Sequence, residues 1–432
     1  MRNVTRSVMQ RLVVLVVLVG LMLPGLASTG AVQGQEAETL PYAAHGPYPV
    51  GTREVVIDAS GESPLEATLW YPALNPDGAA EQVLYQYGLL ALPGAAIQDA
   101  APDAAGGPYP VVIFAHGFGG LRYQSLFLTE HLASWGVVVL AADFPGSNLA
   151  TALTDPAAMA AGVVEGFATR PPDMLRQITY LDALPADDPL SGLLDMERLA
   201  VMGHSFGGYT ALATAGAQLD LDALAAWCDE PVAFDWPEDA LSPTPHTVRA
   251  RSAEGRELRT TACFVLDQAG RLAELRGLDE IPTGPWPATT DPRLDAVVAL
   301  APWNVPALGE AGMASLSVPQ LVMVGSADAI TPPARDAFAA FDWANSPVNL
   351  LVEFDGAGHG LFTDLCDNPL VRALRSDLCG GDENSPFQRQ QTQHVVTAFL
   401  LRAFTDAPVL DPWPDFSDVA ALDGVRMVGA SG

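Results

Sequence analysis

An apolar run from Arg198 to Met202 leads into Gly203-His204-Ser205-Phe206-Gly207-Gly208, and a small-residue, helix-favouring stretch from Tyr209 to Ala217 follows. This pattern predicts a strand, a sharp turn and a helix, with a serine at the apex of the turn. Such a turn tolerates only small neighbours, because the helix starts where the strand ends and packs straight back on it. Gly203, Gly207 and Gly208 leave that room, so Ser205 Oγ is expected to stand exposed above the end of a sheet. The five letters G-x-S-x-G are weak alone, and the rest of the chain has to supply their context.

Arg53 to Ala59 and Leu65 to Tyr71 are β-rich runs around Ser60-Gly61-Glu62-Ser63-Pro64, which predicts a hairpin. Pro72 to Pro108 is rich in Ala, Gly, Pro and Asp, with an apolar island at Val83 to Leu92, and reads as an extended surface connection. Tyr109 to Ala115 is continuously apolar, the pattern of a strand buried on both faces, and it stops at His116-Gly117-Phe118-Gly119-Gly120. A glycine-rich stop after a central strand leaves backbone N–H groups unpaired and able to meet developing negative charge. A helix over Tyr123 to Trp135 and a strand over Val137 to Ala142 continue the alternation of a parallel sheet with right-handed crossovers.

Asn148 to Thr169 reads as loop or broken helix, and Pro172 to Leu184 as a helix opened by Pro171-Pro172. Leu219 to Pro292 breaks the rhythm, with Trp227, Trp236 and Trp286, many acidic residues and few strand-like runs. Residues 217–292 are therefore expected to form a lid or cap above the sheet's carboxyl edge, with a separately packed surface decoration as the alternative. Strands resume at Leu294 to Ala301, Gln320 to Val324 and Val348 to Phe354, with a helix over Pro333 to Phe341 and a closing helix over Gln388 to Phe404. Beyond Asp406 there is no strong pattern.

Residues 1–34 stand apart from this fold. Arg2, Arg6 and Arg11 precede an apolar run from Leu12 to Leu23, and Pro24, Gly25, Ala27 and Ser28 follow, as in a secretory signal peptide. The apolar run is short for a membrane span, and no second long one follows, so no stable membrane anchor is expected. Residues 35–432 are then expected to form one catalytic domain, with 217–292 as its insertion. The net charge is −30, with every one of the 21 basic residues an arginine, and such a surface repels nucleic acid and anionic membranes. Cys228, Cys263, Cys366 and Cys379 would all be exported, where disulfides are the default, and three pairings are open. No Cys/His spacing supports a metal site.

A serine hydroxyl needs a base within hydrogen-bond reach, and the base needs a carboxylate to orient it. Of the histidines after Ser205, His246 lies in the insertion and His394 in the closing helix, whereas His359 sits in a Gly-flanked loop directly after a strand. Among carboxylates, Asp295 starts its strand, at the wrong end, and Asp355 is four residues before the histidine, but Asp328 follows the carboxyl end of its strand. Asp328 could alternatively cap the next helix. The backbone N–H groups of Phe118 and Phe206 are the expected oxyanion donors. His116 is expected to shape its loop, and His204 to be a packing or pocket-wall residue.

On these motifs the span from about Arg53 to Phe404 resembles secreted α/β-hydrolase esterases, including platelet-activating-factor acetylhydrolase-like and dienelactone-hydrolase-like proteins. The matching stretches are Pro110 to Gly120 and the Gly203 to Gly208 elbow. Ala301-Pro302-Trp303, Val318-Pro319 through Asp328, and Gly358-His359 are also similar to bacterial cutinases and polyester hydrolases. The resemblance implies an α/β-hydrolase fold, a mostly parallel sheet flanked by helices with a lid-like insertion, and a Ser205, Asp328, His359 triad that hydrolyses carboxylic esters without a cofactor. Trp303 looks like the aromatic lining the polyester cleft of those enzymes, or is a core tryptophan. The expected partner is a hydrophobic ester, lipid-like, short-chain or polymeric. An amidase or peptidase on the same fold and a non-catalytic ligand-binding protein are the alternatives.

Overall fold

The structure, a computed structural model, describes residues 40–88, 90–229, 263–379, 386–405 and 424–431. The leader expected at 1–34, and His246 and Trp236, lie outside the described residues. Among the described residues, no helix is long and apolar enough to cross a membrane.

The strands are β1 (Val50–Ile57), β2 (Leu65–Pro72), β3 (Val83–Tyr87), β4 (Leu90–Gly94), β5 (Ile97–Gln98), β6 (Tyr109–Ala115), β7 (Val138–Ala142), β8 (Leu194–His204), β9 (Leu294–Leu300), β10 (Gln320–Gly325), β11 (Val348–Phe354) and β12 (Val425–Ser431). All but β3 and β4 join one sheet, in the order β12-β11-β10-β9-β8-β6-β7-β2-β1-β5. From β11 to β7 every neighbouring pair is parallel. The opening hairpin enters antiparallel through β2 and β7, and β12 closes the other edge antiparallel to β11.

The continuous apolar runs have a physical cause, because alternate residues of the central strands feed two separate cores. Val111, Ile113 and Ala115 of β6, with Leu199 and Val201 of β8, belong to one apolar cluster. Val112 and Phe114, with Ala200 and Met202, belong to the cluster on the opposite face. A strand buried on both sides has no polar face to show, and the sequence reads accordingly.

Helices cover both faces: α1 (Leu126–Ser134), α2 (Leu149–Thr154), α3 (Pro156–Asp182), α4 (Phe206–Thr214), α5 (Leu221–Asp229), α6 (Ala269–Leu275), α7 (Gly309–Met313), α8 (Ala337–Trp343), α9 (Pro369–Leu374), α10 (Ser376–Cys379) and α11 (Pro386–Ala403). Three elements differ from the sequence expectation. First, Pro171-Pro172 does not open a helix but lies inside the 27-residue α3, which Asp155 caps by accepting from the N–H groups of Ala157 and Ala158. Proline inside a helix costs about 3 kcal/mol. Here Val164, Phe167, Ala168, Pro171, Met174, Ile178 and Leu181 form one buried stripe that runs across the prolines, and its packing outweighs the missing backbone bonds.

Second, the surface connection from Pro72 to Pro108 contains a hairpin, with Val83 facing Gly94 and Tyr87 facing Leu90. Its anchor is Tyr85, whose hydroxyl accepts from Trp70 Nε1 and donates to Glu130 Oε1, both at 2.7 Å. Third, the tail beyond Asp406 contributes β12, where buried Arg426 reaches Glu353 at 3.6 Å. Edge strands are held by backbone pairing, so little of this is written in apolar alternation.

The described flanks of the insertion pack into the main core. Leu224 and Trp227 of α5, Leu272 of α6 and Trp286 are buried in the same cluster as one face of the sheet. Cys228 and Cys263 are joined, as are Cys366 and Cys379, which selects the local pairing among the three the sequence left open. Residues 230–262 lie outside the described residues.

Candidate active site

Ser205 ends β8 and begins α4 with φ +60° and ψ −121°, a conformation that side-chain-bearing residues avoid and that only over-determined packing sustains. The packing is visible around it. Ser205 N–H donates to the Leu300 carbonyl at 2.9 Å, and its own carbonyl accepts from Gly208 at 2.8 Å and from Trp303 at 3.0 Å. A Cβ on Gly203 would lie 2.1 Å from the Gly207 carbonyl oxygen, and one on Gly207 would lie 1.9 Å from that of Ala115. The elbow therefore has no room for alanine at either place. Ser205 is 9% exposed, at the wall of a cavity and not on the open surface the sequence suggested.

Beside it are two backbone N–H groups without partners among the described residues. Gly117, Gly119 and Gly120 spend theirs on Gln124 Oε1, the Ser147 carbonyl and the Gly117 carbonyl, whereas Phe118 N–H bonds to nothing. Phe206 N–H is the first of a helix, where no intrahelical acceptor exists. Phe118 lines the cavity, while the Phe206 side chain is wholly buried and packs with Phe167, Tyr209 and Trp303. Phe206 can thus offer its backbone but not its ring to a ligand.

His359 opens the short helical turn after β11, and Asp328 follows β10. His359 Nδ1 donates to Asp328 Oδ2 at 2.7 Å, with both side chains buried. Thr331 Oγ1 also donates to Asp328 Oδ2 at 2.7 Å, and Asp328 Oδ1 accepts from the N–H groups of Ile330 and Thr331 at 2.9 and 2.8 Å. Asp328 does not cap the next helix, which begins at Ala337 behind Asp336; one of its oxygens closes the turn to Ile330 and Thr331 and the other holds the imidazole. With Nδ1 committed, Nε2 is the ring nitrogen left for chemistry in the cavity that His359 and Ser205 share.

The sequence reading missed Gln124. Its Oε1 accepts from Gly117 N–H at 3.0 Å, so Nε2 faces His204 Nδ1 at 2.8 Å. His204 Nδ1 must then accept, and its Nε2–H donates to the His359 carbonyl at 3.1 Å. Burial, with the His359 ring beside it, holds the pKa of His204 well below 6.5, and the ring is neutral as this bonding requires. One buried amide and one buried imidazole thus tie the turn after β6 to the loop of His359. A glutamine near the start of a helix carries no sequence signal of this role.

His116 is likewise neutral and structural, as expected. Its Nδ1–H donates to the Gly117 carbonyl at 2.7 Å and Nε2 accepts from Phe144 N–H at 3.1 Å, with burial and the charge of Arg170 depressing its pKa. The remaining candidates lie apart. His394 Nδ1 accepts from Tyr42 N–H, Asp295 accepts from Leu199 N–H, and Asp355 bonds Ser326.

The cavity measures about 480 Å³ and is mainly apolar. Leu90 of the hairpin, Leu149 and Leu153 of α2, and Val163 of α3 form one side. Val371 and Leu378, on the segment bridged by Cys366 and Cys379, form another, with Trp303 and His204 at the elbow. Trp303 is half-buried, so it is both a core neighbour of Phe206 and a cavity wall. Among the described residues none from 217–292 lines the cavity; its covering walls come from α2, α3 and the α9–α10 segment.

Comparison with known proteins follows the same lines. The model of the alpha/beta hydrolase family matches residues 112–373, and that of platelet-activating factor acetylhydrolase, isoform II, matches residues 33–159. Among solved structures, a ferulic acid esterase from Streptomyces cinnamoneus is similar over 88% of this chain and 96% of its own, with a TM-score of 0.50 and 18% sequence identity, a likeness of fold. No curated protein matches the sequence.

Proposed function

Because the chain belongs to the alpha/beta hydrolase family, we propose that it is a secreted serine carboxylic-ester hydrolase with Ser205 as nucleophile, His359 as general base and then acid, and Asp328 as the group that orients the imidazole. The observation that carries this reading is the short Asp328–His359 bond beside a cavity whose wall includes a serine at φ +60°.

In the first half-reaction Ser205 Oγ bonds to the ester carbonyl carbon while its proton passes to His359 Nε2. The carbonyl π pair moves to oxygen, where the N–H groups of Phe118 and Phe206 receive the charge, each such donor contributing about 3 to 4 kcal/mol. Collapse expels the alcohol, protonated by His359, and leaves an acyl-serine. Water then repeats the sequence with His359 as base and releases the acid. Asp328 keeps the ring oriented and stabilises the imidazolium.

The apolar walls and the limited volume favour an ester with a small or medium hydrophobic acyl or alcohol part. The partial match to platelet-activating factor acetylhydrolase and the ferulic acid esterase neighbour agree in reaction type. Two disulfides support export.

The test is hydrolysis of p-nitrophenyl esters from acetate to palmitate by mature protein beside Ser205→Ala. A loss of about 10⁴-fold or more is expected in the variant, with the best rates at short to medium chains. Equal rates in both proteins would sink the reading.

A further inference from the structure

Arg170 of α3 is a cation buried without a counter-ion among the described residues. None of its side chain reaches solvent. The guanidinium carbon lies 4.1 Å from the centre of the Phe144 ring and 4.7 Å from that of Phe206. Nη2 donates to the His116 carbonyl, while Nε and Nη1 meet no acceptor among the described residues. No ion pair with Arg170 occurs there either, since the one carboxylate whose field reaches it, Asp173, is bound to Arg176 at 2.7 Å. Burial lowers its pKa to about 9, which still leaves it protonated at neutral pH.

A buried, unpaired cation is costly to keep, and an apolar chain of the same length would fill the space. What it touches is specific. His116 begins the turn that presents Phe118 N–H, and Phe206 carries the second free N–H beside Ser205. Arg170 therefore bonds the peptide next before the one that carries Phe118 N–H, and lies against the ring of the residue that carries the other free N–H.

We infer that Arg170 is a positioning residue that sets a fixed positive field behind the oxyanion site and holds the His116–Gly117 peptide in place, so that its missing counter-ion is supplied by the reaction itself. The inference rests on the reading of Ser205 as nucleophile. When Oγ adds to the carbonyl carbon and its proton moves to His359, the π pair becomes a full charge on oxygen. A cation in a low-dielectric setting stabilises that charge and is nearly indifferent to the neutral ester. Arg170 should accordingly act on kcat and leave KM alone.

The test compares wild type with Arg170→Met and Arg170→Lys on p-nitrophenyl butyrate, with phenylboronic acid as a probe that becomes an anionic tetrahedral adduct on the serine. Arg170→Met is expected to lose tens-fold in kcat with KM within about twofold, and to lose boronate affinity in parallel. Arg170→Lys should recover most of both. A folded Arg170→Met with wild-type kcat and boronate affinity would overturn the inference, as would parallel damage to KM and kcat that lysine does not rescue. Should Arg170→Met fail to fold, Arg170→Lys decides: retained boronate affinity supports the field, and its loss in a protein of unchanged melting temperature overturns it. Labelling of wild type, but not Ser205→Ala, by a fluorophosphonate checks the nucleophile separately.

Discussion

His204 Nε2 donates to the carbonyl of His359 at 3.1 Å, so the residue before the elbow serine holds the loop that carries the imidazole. The other nitrogen of His204 is held by Gln124, which also binds Gly117 N–H. Replacing His204 with Phe keeps a ring of similar size but leaves a buried amide and a buried carbonyl unpaired. Each such loss costs about 1 to 3 kcal/mol. The variant should melt lower and lose roughly tenfold in kcat with little change in KM, because the cavity wall survives while His359 is less well aimed. Steady-state kinetics beside a melting curve check this; an intact kcat would mean that the loop needs no such tie.

The elbow makes a steric prediction with an internal control. A Cβ at Gly207 would lie 1.9 Å from the Ala115 carbonyl oxygen, backbone against backbone, and neither strand nor helix can yield. Gly277 closes α6 at φ +65° with nothing within 4 Å of its would-be Cβ. Gly277→Ala should therefore cost only the left-handed strain, about 1 to 2 kcal/mol, and keep full activity. Gly207→Ala should cost more than about 4 kcal/mol or fail to fold. Urea unfolding of the two variants side by side decides, and similar losses would refute the steric account.

The central parallel strands are legible because burial on both faces leaves a continuous apolar run, as at Tyr109–Ala115. Ser205, Asp328 and His359 could be singled out because each follows the carboxyl end of a strand within a turn of small or polar residues. Elsewhere long-range packing overrode local signals. Pro171-Pro172 punctuates the sequence, yet the buried stripe from Val164 to Leu181 carries the helix through it. The hairpin at Val83 to Gly94 depends on Tyr85 reaching Trp70 and Glu130, which no local window contains. Gln124 reads as an ordinary polar helix residue, and Arg170 falls between a stretch read as loop or broken helix and a helix expected from Pro172. Their roles exist only because the fold brings Gly117, His204, Phe144 and Phe206 around them.

Glu130 makes stability depend on pH in a way that can be isolated. Burial, opposed by bonds from Ala95 N–H and the Tyr85 hydroxyl, raises its pKa from 4.5 to about 7. The folded state thus holds this proton more tightly than the unfolded chain. Its contribution is fully present below about pH 4.5 and is lost as pH rises through 7. Burial lowers the pKa of His131 to about 4, which gives the opposite slope between 4 and 6.5, but that term is common to wild type and a Glu130 variant. Glu130→Gln should therefore gain stability relative to wild type as pH goes from 5 to 8, on the order of 3 kcal/mol. Parallel stability curves for the two proteins would rule this out.

The two disulfides should separate stability from substrate handling. Cys366–Cys379 spans the segment that places Val371 and Leu378 on the cavity, and Cys366 Sγ sits 2.8 Å from where a Cβ on Gly360 would be, next to His359. Cys228–Cys263 instead joins the described flanks of the insertion, which line none of that cavity among the described residues. Either closure is worth about 3 to 4 kcal/mol by chain entropy, so both double serine variants should melt lower. Only Cys366→Ser/Cys379→Ser should also raise KM several-fold for a medium-chain ester and lower kcat, because it frees a wall of the cavity and the support behind the histidine loop. Cys228→Ser/Cys263→Ser should keep wild-type KM at temperatures where it is folded. If instead the second variant raised KM and the first did not, the insertion, and not the α9–α10 segment, would be the part of the chain that meets the substrate.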